Sequence, residues 1–347
     1  MAMQIEKVVC ASVALAAFTL LSIAVAQDVL ADGKILPDVV FTDYADYAAN
    51  PELFRRLLSP ATTARLERES MRSGKAMATR PVNLAAERFI VYVPSPKPAR
   101  GFGLLVFVPP WPEARLPDHW AAALDRHGVI FVSAARSGND ENAMGRRAPL
   151  ALLAAQNIIL RYPVDPQRVY IAGFSGGSRV ALRLALGYPE LFHGAILNAG
   201  SEPIGNAWIP LPPRDLLLQF QSSSHVIFVT GARDEAHIID DMISLRSMHR
   251  WCVFNVEGNT SPFAGHEVAD SAALSRALRG LQSDMRPDPD RLAICRSAID
   301  RELEEKFAKV QSSIASGRRA DADQLLAAID EHFGGLAAPR SSEFRRQ

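Results

Sequence analysis

The segment Gly173-Phe174-Ser175-Gly176-Gly177 sets a serine among glycines in the pattern Gly-x-Ser-x-Gly. Its flanks give the pattern meaning. Val169-Tyr170-Ile171-Ala172 before it is a short apolar run, and Ser178-Arg179-Val180-Ala181-Leu182 after it has helical character. A chain that passes from strand to helix in so few residues forces the serine into strained backbone geometry, and small neighbours remove the clashes. The turn also lifts the hydroxyl out of the sheet, above a helix N-terminus. There the amide of Gly176 can meet a developing oxyanion. The chemistry on offer is nucleophilic attack; the plainer alternative is a glycine-rich turn with a structural serine.

A serine hydroxyl is a weak nucleophile until a base takes its proton, so a histidine is the expected partner. For a nucleophile on this kind of turn the chain order is serine, acid, histidine. Among the eight histidines, His237, His249, His266 and His332 follow a plausible acid. His266 sits in the loop Ser261-Pro262-Phe263-Ala264-Gly265-His266, after the last apolar run, where it can reach over the sheet edge. His249 lies in a helical pattern and His332 in the tail, and His237 follows the acid too closely to fold back comfortably. Asp234 closes the turn Thr230-Gly231-Ala232-Arg233-Asp234 that leaves the run Val226 to Val229. An acid just past a strand's C-terminal end is where an open α/β sheet places site residues. Its task would be to fix the histidine tautomer and stabilise the imidazolium. Glu235 and Asp240 are possible substitutes, and a solvated turn aspartate is the structural alternative.

These residues need a scaffold, and the hydrophobic pattern describes one. Apolar runs recur at 89–93, 104–108, 129–132, 169–172, 194–197, 226–229 and 252–256, bounded mostly by Pro, Gly or polar residues. Several are apolar at every position, as strands covered on both faces are. Helical patterns at 118–126, 150–161, 178–186 and 238–249 separate most of them. Strand and helix in alternation predict an α/β protein with an open, mainly parallel, doubly wound sheet over 87–283. Before it, 27–86 reads as a helical lead-in carrying Leu53, Leu57, Leu58, Leu66 and Met71. After it, 284–347 reads as a helical extension. There Leu292, Cys295, Ile299, Leu303, Phe307, Val310 and Ile314 form an amphipathic stripe, and a second helix carries Leu325, Leu326 and Ile329. Gly317 and Gly334-Gly335 mark their ends. This hairpin is expected to pack on the sheet domain rather than present a partner surface.

Strand, Gly-x-Ser-x-Gly, helix, then Gly-x-x-Asp and a late Gly-His resemble the α/β-hydrolase superfamily. The stretch RYPVDPQRVYIAGFSGGSRVALRLALGYPELFHGAILNAGS is similar to secreted esterases and depolymerases that include feruloyl esterases and polyhydroxybutyrate depolymerases. The resemblance runs from about Glu87 to Leu281. It implies a catalytic triad of Ser175, Asp234 and His266 cleaving a small-molecule or polymeric carboxylic ester through an acyl-enzyme, without metal or organic cofactor. Those relatives carry His-Gly after an early core strand, and the next residue donates an amide to the oxyanion hole. Here that strand ends Val108-Pro109-Pro110-Trp111-Pro112, so the matching donor, beside Gly176, is Trp111. The alternative for Trp111 is an indole packed on the rim. Two other functions stand beside the esterase: a serine peptidase with the same triad, and a non-catalytic scaffold that binds through its tail. The short interval from Leu197 to Val226 leaves no room for a large lid, and Ile209-Pro210-Leu211-Pro212-Pro213 is expected to form a small rim over the site.

Composition narrows the partners. With 48% hydrophobic and 22% charged residues the chain has the make-up of a packed globular protein. Lys plus Arg equals Asp plus Glu, 38 each, so no overall field steers it to nucleic acid or an anionic membrane. Lys7 precedes an apolar run from Val8 to Val25, and Ala24-Val25-Ala26 supplies small residues for cleavage after position 26. The expectation is a signal peptide at 1–26 and a periplasmic or secreted protein with no stable membrane insertion after cleavage; an uncleaved anchor is the alternative. Export would leave Cys252 and Cys295 where disulfides persist, and a bridge between them is expected over two free thiols.

Overall fold

The computed structural model describes residues 33–74, 77–283 and 286–346. The expected signal peptide at 1–26 lies outside the described residues. Eight strands form one sheet: β1 Lys34–Val39, β2 Phe89–Val93, β3 Phe102–Val108, β4 Val129–Ala134, β5 Val164–Phe174, β6 Gly194–Asn198, β7 His225–Gly231 and β8 Val256–Ser261. Their order is β1-β2-β4-β3-β5-β6-β7-β8. β2 runs antiparallel to both β1 and β4, and every pair from β4 to β8 is parallel.

The helices are α1 Asn50–Leu57, α2 Pro60–Ser73, α3 Trp120–His127, α4 Ala148–Arg161, α5 Gly176–Gly187 and α6 Arg214–Ser223. They continue as α7 Glu235–Arg250, α8 Ser271–Leu281, α9 Pro289–Ala315, α10 Arg319–Phe333 and α11 Arg340–Arg346. None of the described helices is long and apolar enough to cross a membrane.

Period-two alternation splits the core strands between two hydrophobic layers. Leu104, Val106 and Val108 join one cluster with Ile158, Leu182 and Phe220, whereas Leu105 and Phe107 join the other with Trp120, Leu124 and Leu278. The sheet is thus covered on both faces, which is why each central strand carries an unbroken apolar stretch. The tail helices add Leu292, Ile299, Leu303, Phe307, Val310, Leu326, Ile329 and Phe333 to the first layer. As expected, the hairpin packs on the sheet domain. Arg296 of α9 donates to Gln221 Oε1 at 2.6 Å and to Leu218 O at 2.7 Å on α6. Cys252 and Cys295 are joined by a disulfide, which staples α9 to the end of α7.

Four expectations need correction. The lead-in holds α1 and α2 but also β1, whose sequence KILPDV does not alternate and carries Pro37. An edge strand half open to solvent needs no apolar pattern, so pairing with β2 decides it. The run from Cys252 to Val256 is not a strand until its last residue, where β8 begins. Trp251, Cys252 and Val253 instead form the buried end of α7, with Cys252 N donating to His249 O at 3.1 Å and Val253 N to Met248 O at 2.9 Å. A short apolar run cannot distinguish strand from buried helix end. The true edge strand, β8, is polar (VEGNTS) and only partly buried. Lastly, Ile209 to Pro212 is buried rather than forming a rim, and Gly335 N donates to Leu211 O at 2.7 Å, so the tail covers it.

Candidate active site

Ser175 stands between the last residue of β5 and the first of α5. Its φ of 53° and ψ of −125° place it in a region that L-residues rarely enter. Close packing holds it there. A Cβ on Gly177 would fall 1.9 Å from Val108 O, and one on Gly200 would fall 2.1 Å from Ser175 O. Only glycine fits either position. Ser175 N donates to Asn198 O at 2.8 Å, and the buried Ser178 hydroxyl bridges Gly173 O and Asn198 O at 2.7 and 2.9 Å. The turn is therefore locked to the end of β6.

Asp234 directly precedes α7, at the C-terminal end of β7, and is only 8% exposed. The loop after β8 folds over it, with Ala232 N donating to Ser261 O at 3.0 Å and Arg233 N to Ala264 O at 2.9 Å. These bonds carry His266 to the acid. His266 Nδ1 lies 2.8 Å from Asp234 Oδ2, and His266 Nε2 lies 3.1 Å from Ser175 Oγ. An ionised carboxylate only accepts, so Nδ1 donates to it and Nε2 is left to accept from the serine hydroxyl. Burial works against the charge on Asp234. The hydrogen bonds from His237 and His266 outweigh that penalty and hold the carboxyl below the usual carboxylate range.

The strand order, the serine turn and the sequence order Ser, Asp, His now stand together. The chain has the α/β-hydrolase fold. No family model matches the sequence, and no curated protein does. Among solved structures, the chain is similar to an S-formylglutathione hydrolase from Staphylococcus aureus, with 14% identity and TM-score 0.43, covering 57% of this chain and 90% of that one. A ferulic acid esterase shows 17% identity and TM-score 0.42, covering 56% and 91%. An esterase from Pyrobaculum calidifontis shows 12% identity and TM-score 0.43, covering 64% and 92%. Likenesses of this size carry no functional weight; the hydrolase fold rests on strand order and the serine turn.

The main surprise within the site is His237. It does fold back on the acid: its Nδ1 lies 2.8 Å from Asp234 Oδ1, the oxygen that His266 leaves unused. The first turn of α7 brings positions three apart onto one face, so the short spacing is what permits the contact. Its ring stacks on His266 with centroids 4.3 Å apart and planes 18° apart. Asp234, His237 and His266 also bring potential metal-ligand atoms within 4.8 Å of one another. Nearly parallel rings, however, cannot aim two Nδ1 lone pairs at one point, and both nitrogens already face the carboxylate. The trio reads as a hydrogen-bonded set.

The substitutes for the acid fall elsewhere. Glu235 opens α7 next to Asp234, and Asp240 lies on the same helix, but the carboxylate that pairs with His266 is that of Asp234. Their neighbour Asp241 was not expected to matter. Its carboxylate accepts from Ser201 and Thr230 hydroxyls, both at 2.6 Å, and so ties α7 to the ends of β6 and β7. Phe263, 83% exposed in the loop that carries His266, is an open aromatic surface beside the site.

Trp111 lies in the loop after β3. Its ring is 6.0 Å from Phe107 and 6.1 Å from Phe174, with the Arg115 guanidinium 3.9 Å from its centroid. Arg147, buried, pins this loop by donating to Pro109 O at 2.9 Å while also donating to Ser137 O at 3.0 Å. Gly176 N belongs to the residue after Ser175, at the first turn of α5, where helix geometry leaves the amide free for a ligand.

Proposed function

We propose that this protein is a serine hydrolase that cleaves a carboxylic ester through an acyl-enzyme. The observation that carries the reading is the unbroken hydrogen-bonded line from Ser175 through His266 to the buried Asp234, with Ser175 on a strained strand-to-helix turn. Ser175 Oγ attacks the ester carbonyl while its proton passes to His266 Nε2. Asp234 stabilises the imidazolium so formed. The negative charge on the carbonyl oxygen is met by the Gly176 amide and, at a second point, by the main-chain N–H of Trp111. Collapse breaks the ester C–O bond, and His266 returns the proton to the departing alcohol. Water then attacks the acyl-serine with His266 again taking a proton, which releases the acid and restores the serine.

The test is labelling with a fluorophosphonate followed by turnover of p-nitrophenyl esters and peptide p-nitroanilides. Ser175→Ala should abolish labelling and lower kcat by ~10⁴–10⁶ while the fold is kept. His266→Ala should do the same, because only its Nε2 reaches the hydroxyl. His237→Ala should stay within about tenfold of the intact protein. Normal labelling of the Ser175→Ala protein would sink the reading, and equal losses from the two histidines would remove His266 as the base. Faster turnover of anilides than of esters would favour a peptidase instead.

The disulfide suits an oxidising compartment, so the reading includes export to the periplasm or beyond. N-terminal sequencing of protein recovered outside the cytoplasm should begin at Gln27; a start at residue 1 or 2 would contradict cleavage.

A further inference from the structure

We propose that the side-chain amide of Asn139 is a further oxyanion donor, an extension that rests on the serine-hydrolase reading of Ser175. Three observations meet here. The first is proximity. A Cβ on Gly176 would lie 2.2 Å from Asn139 Oδ1, 2.8 Å from its Cγ and 3.0 Å from its Nδ2. The amide therefore rests against the Cα of the residue whose N–H first receives the oxyanion. Oδ1 is the nearest of the three, and a half-turn about the Cβ–Cγ bond exchanges it with Nδ2, which brings the NH₂ group alongside a carbonyl oxygen bound to that N–H. This also explains the second glycine after the nucleophile turn begins: any side chain at position 176 would displace the amide.

The second observation is anchorage. Asn139 N donates to Pro110 O at 3.0 Å, and Arg136 N donates to Pro112 O at 2.5 Å, so the loop after β4 is laced to the loop after β3. Arg147 ties the same two loops through Pro109 O and Ser137 O. The bracing fixes the backbone from which the amide projects, so only the side-chain torsions of Asn139 have to settle as charge develops.

The third is unused capacity. Asn139 is exposed, and its side chain makes no hydrogen bond among the described residues, so the NH₂ group is available to turn toward a ligand. The need for such a donor is written in the neighbouring loop. Pro109, Pro110 and Pro112 have no N–H, which leaves Trp111 as the only main-chain donor in that stretch. A side-chain amide adds what three prolines cannot.

The experiment compares the intact protein, Asn139→Ala and Asn139→Asp in p-nitrophenyl ester hydrolysis, with thermal melts to establish that each is folded. Asn139→Ala should lower kcat by ~10²–10³ with KM changed by less than about threefold, because the lost contact forms only as charge develops. Asn139→Asp, equal in size, should fare no better, since a carboxylate has no proton to donate and repels an oxyanion. A purely structural role would be rescued by the isosteric aspartate. Two folded variants with kcat within about threefold of the intact protein would overturn the proposal, as would a loss confined to KM. Fluorophosphonate labelling of Ser175 separates the two levels. If the intact protein labels and turns over while Asn139→Ala is unimpaired, only this inference fails; if Ser175 never labels, the hydrolase reading fails and takes the inference with it.

Discussion

At the scale of single residues the site is governed by where each carboxylate oxygen finds a proton. Asp234 serves two imidazoles, one per oxygen, at 2.8 Å each. Its native carboxyl is held below the ordinary range, so it contributes stability that is fully present above its unfolded value, about 3.9. That contribution is lost as pH falls through the lower native value. The expected outcome is an acid limb in the melting temperature of the intact protein, steepening below about pH 4, that is shallower in Asp234→Asn. Differential scanning calorimetry from pH 3 to 7 checks it, and parallel acid limbs would mean the charge is not held by the fold. The same Asp234→Asn change should lower kcat by ~10⁴, because the amide can hold His266 in the wrong tautomer. The meeting of Ser175 and Asp234 is legible in sequence because each lies at the exit of an apolar run, and that of His266 because it follows them in a Gly-His loop. His237 was not, because sequence spacing was judged as a loop when α7 had already begun. Asn139 was not, because an asparagine in a polar loop carries no periodic signal.

Elements decide how firmly those residues are held. The central strands β3 to β7 were readable because burial on both faces leaves each with an unbroken apolar stretch. The edge strands β1 and β8 were not, since a strand with one open side obeys no strict pattern, and Pro37 within β1 argues locally against a strand. The stretch at Cys252 was misassigned for the opposite reason: its apolarity comes from capping a helix against the core. That cap is also where the disulfide enters. Cys252 and Cys295 are separated by 43 positions and close a long loop through β8 and α8. Replacing both by serine should lower unfolding stability by about 2–4 kcal/mol, measured by urea denaturation of the purified protein. Intact oxidised protein should resist alkylation until it is reduced. Alkylation of both cysteines without reduction would show that the bridge does not form.

At the scale of the whole molecule, the C-terminal extension belongs to the same hydrophobic layer as the sheet. Leu303, Phe307, Val310, Leu326 and Phe333 share one cluster with Leu211, Leu217, Phe220 and Trp251. The polar contacts agree: Arg214 pairs with Asp300 at 2.7 Å, and Ala61 N donates to Asp330 Oδ1 at 2.9 Å, so α2, α6 and the tail are joined. Each large apolar side chain left uncovered forfeits about 1.5–3 kcal/mol, against a total stability of about 5–15 kcal/mol for a typical domain. Ending the chain at Asp288 should therefore yield protein that does not accumulate in folded form. Expression of both lengths, followed by fluorophosphonate labelling of the soluble fraction, tests this. A truncated chain that labels and melts cooperatively would make the extension an independent appendage.

What the sequence determined by itself was local: which runs are strands buried on both faces, which turn strains a serine, and which stripe of the tail is apolar. Those are properties of neighbours along the chain, set by periodicity and by the conformational limits of glycine and proline. Only the tertiary structure decided what meets across the fold. It paired β1 with β2, laid the tail over Leu211, stacked His237 on His266 and set the Asn139 amide against Gly176. The physical reason is that contacts between residues far apart in the chain depend on how the layers close, and composition does not encode that closure in any one segment. The fold was read from segments; the site was completed by their packing.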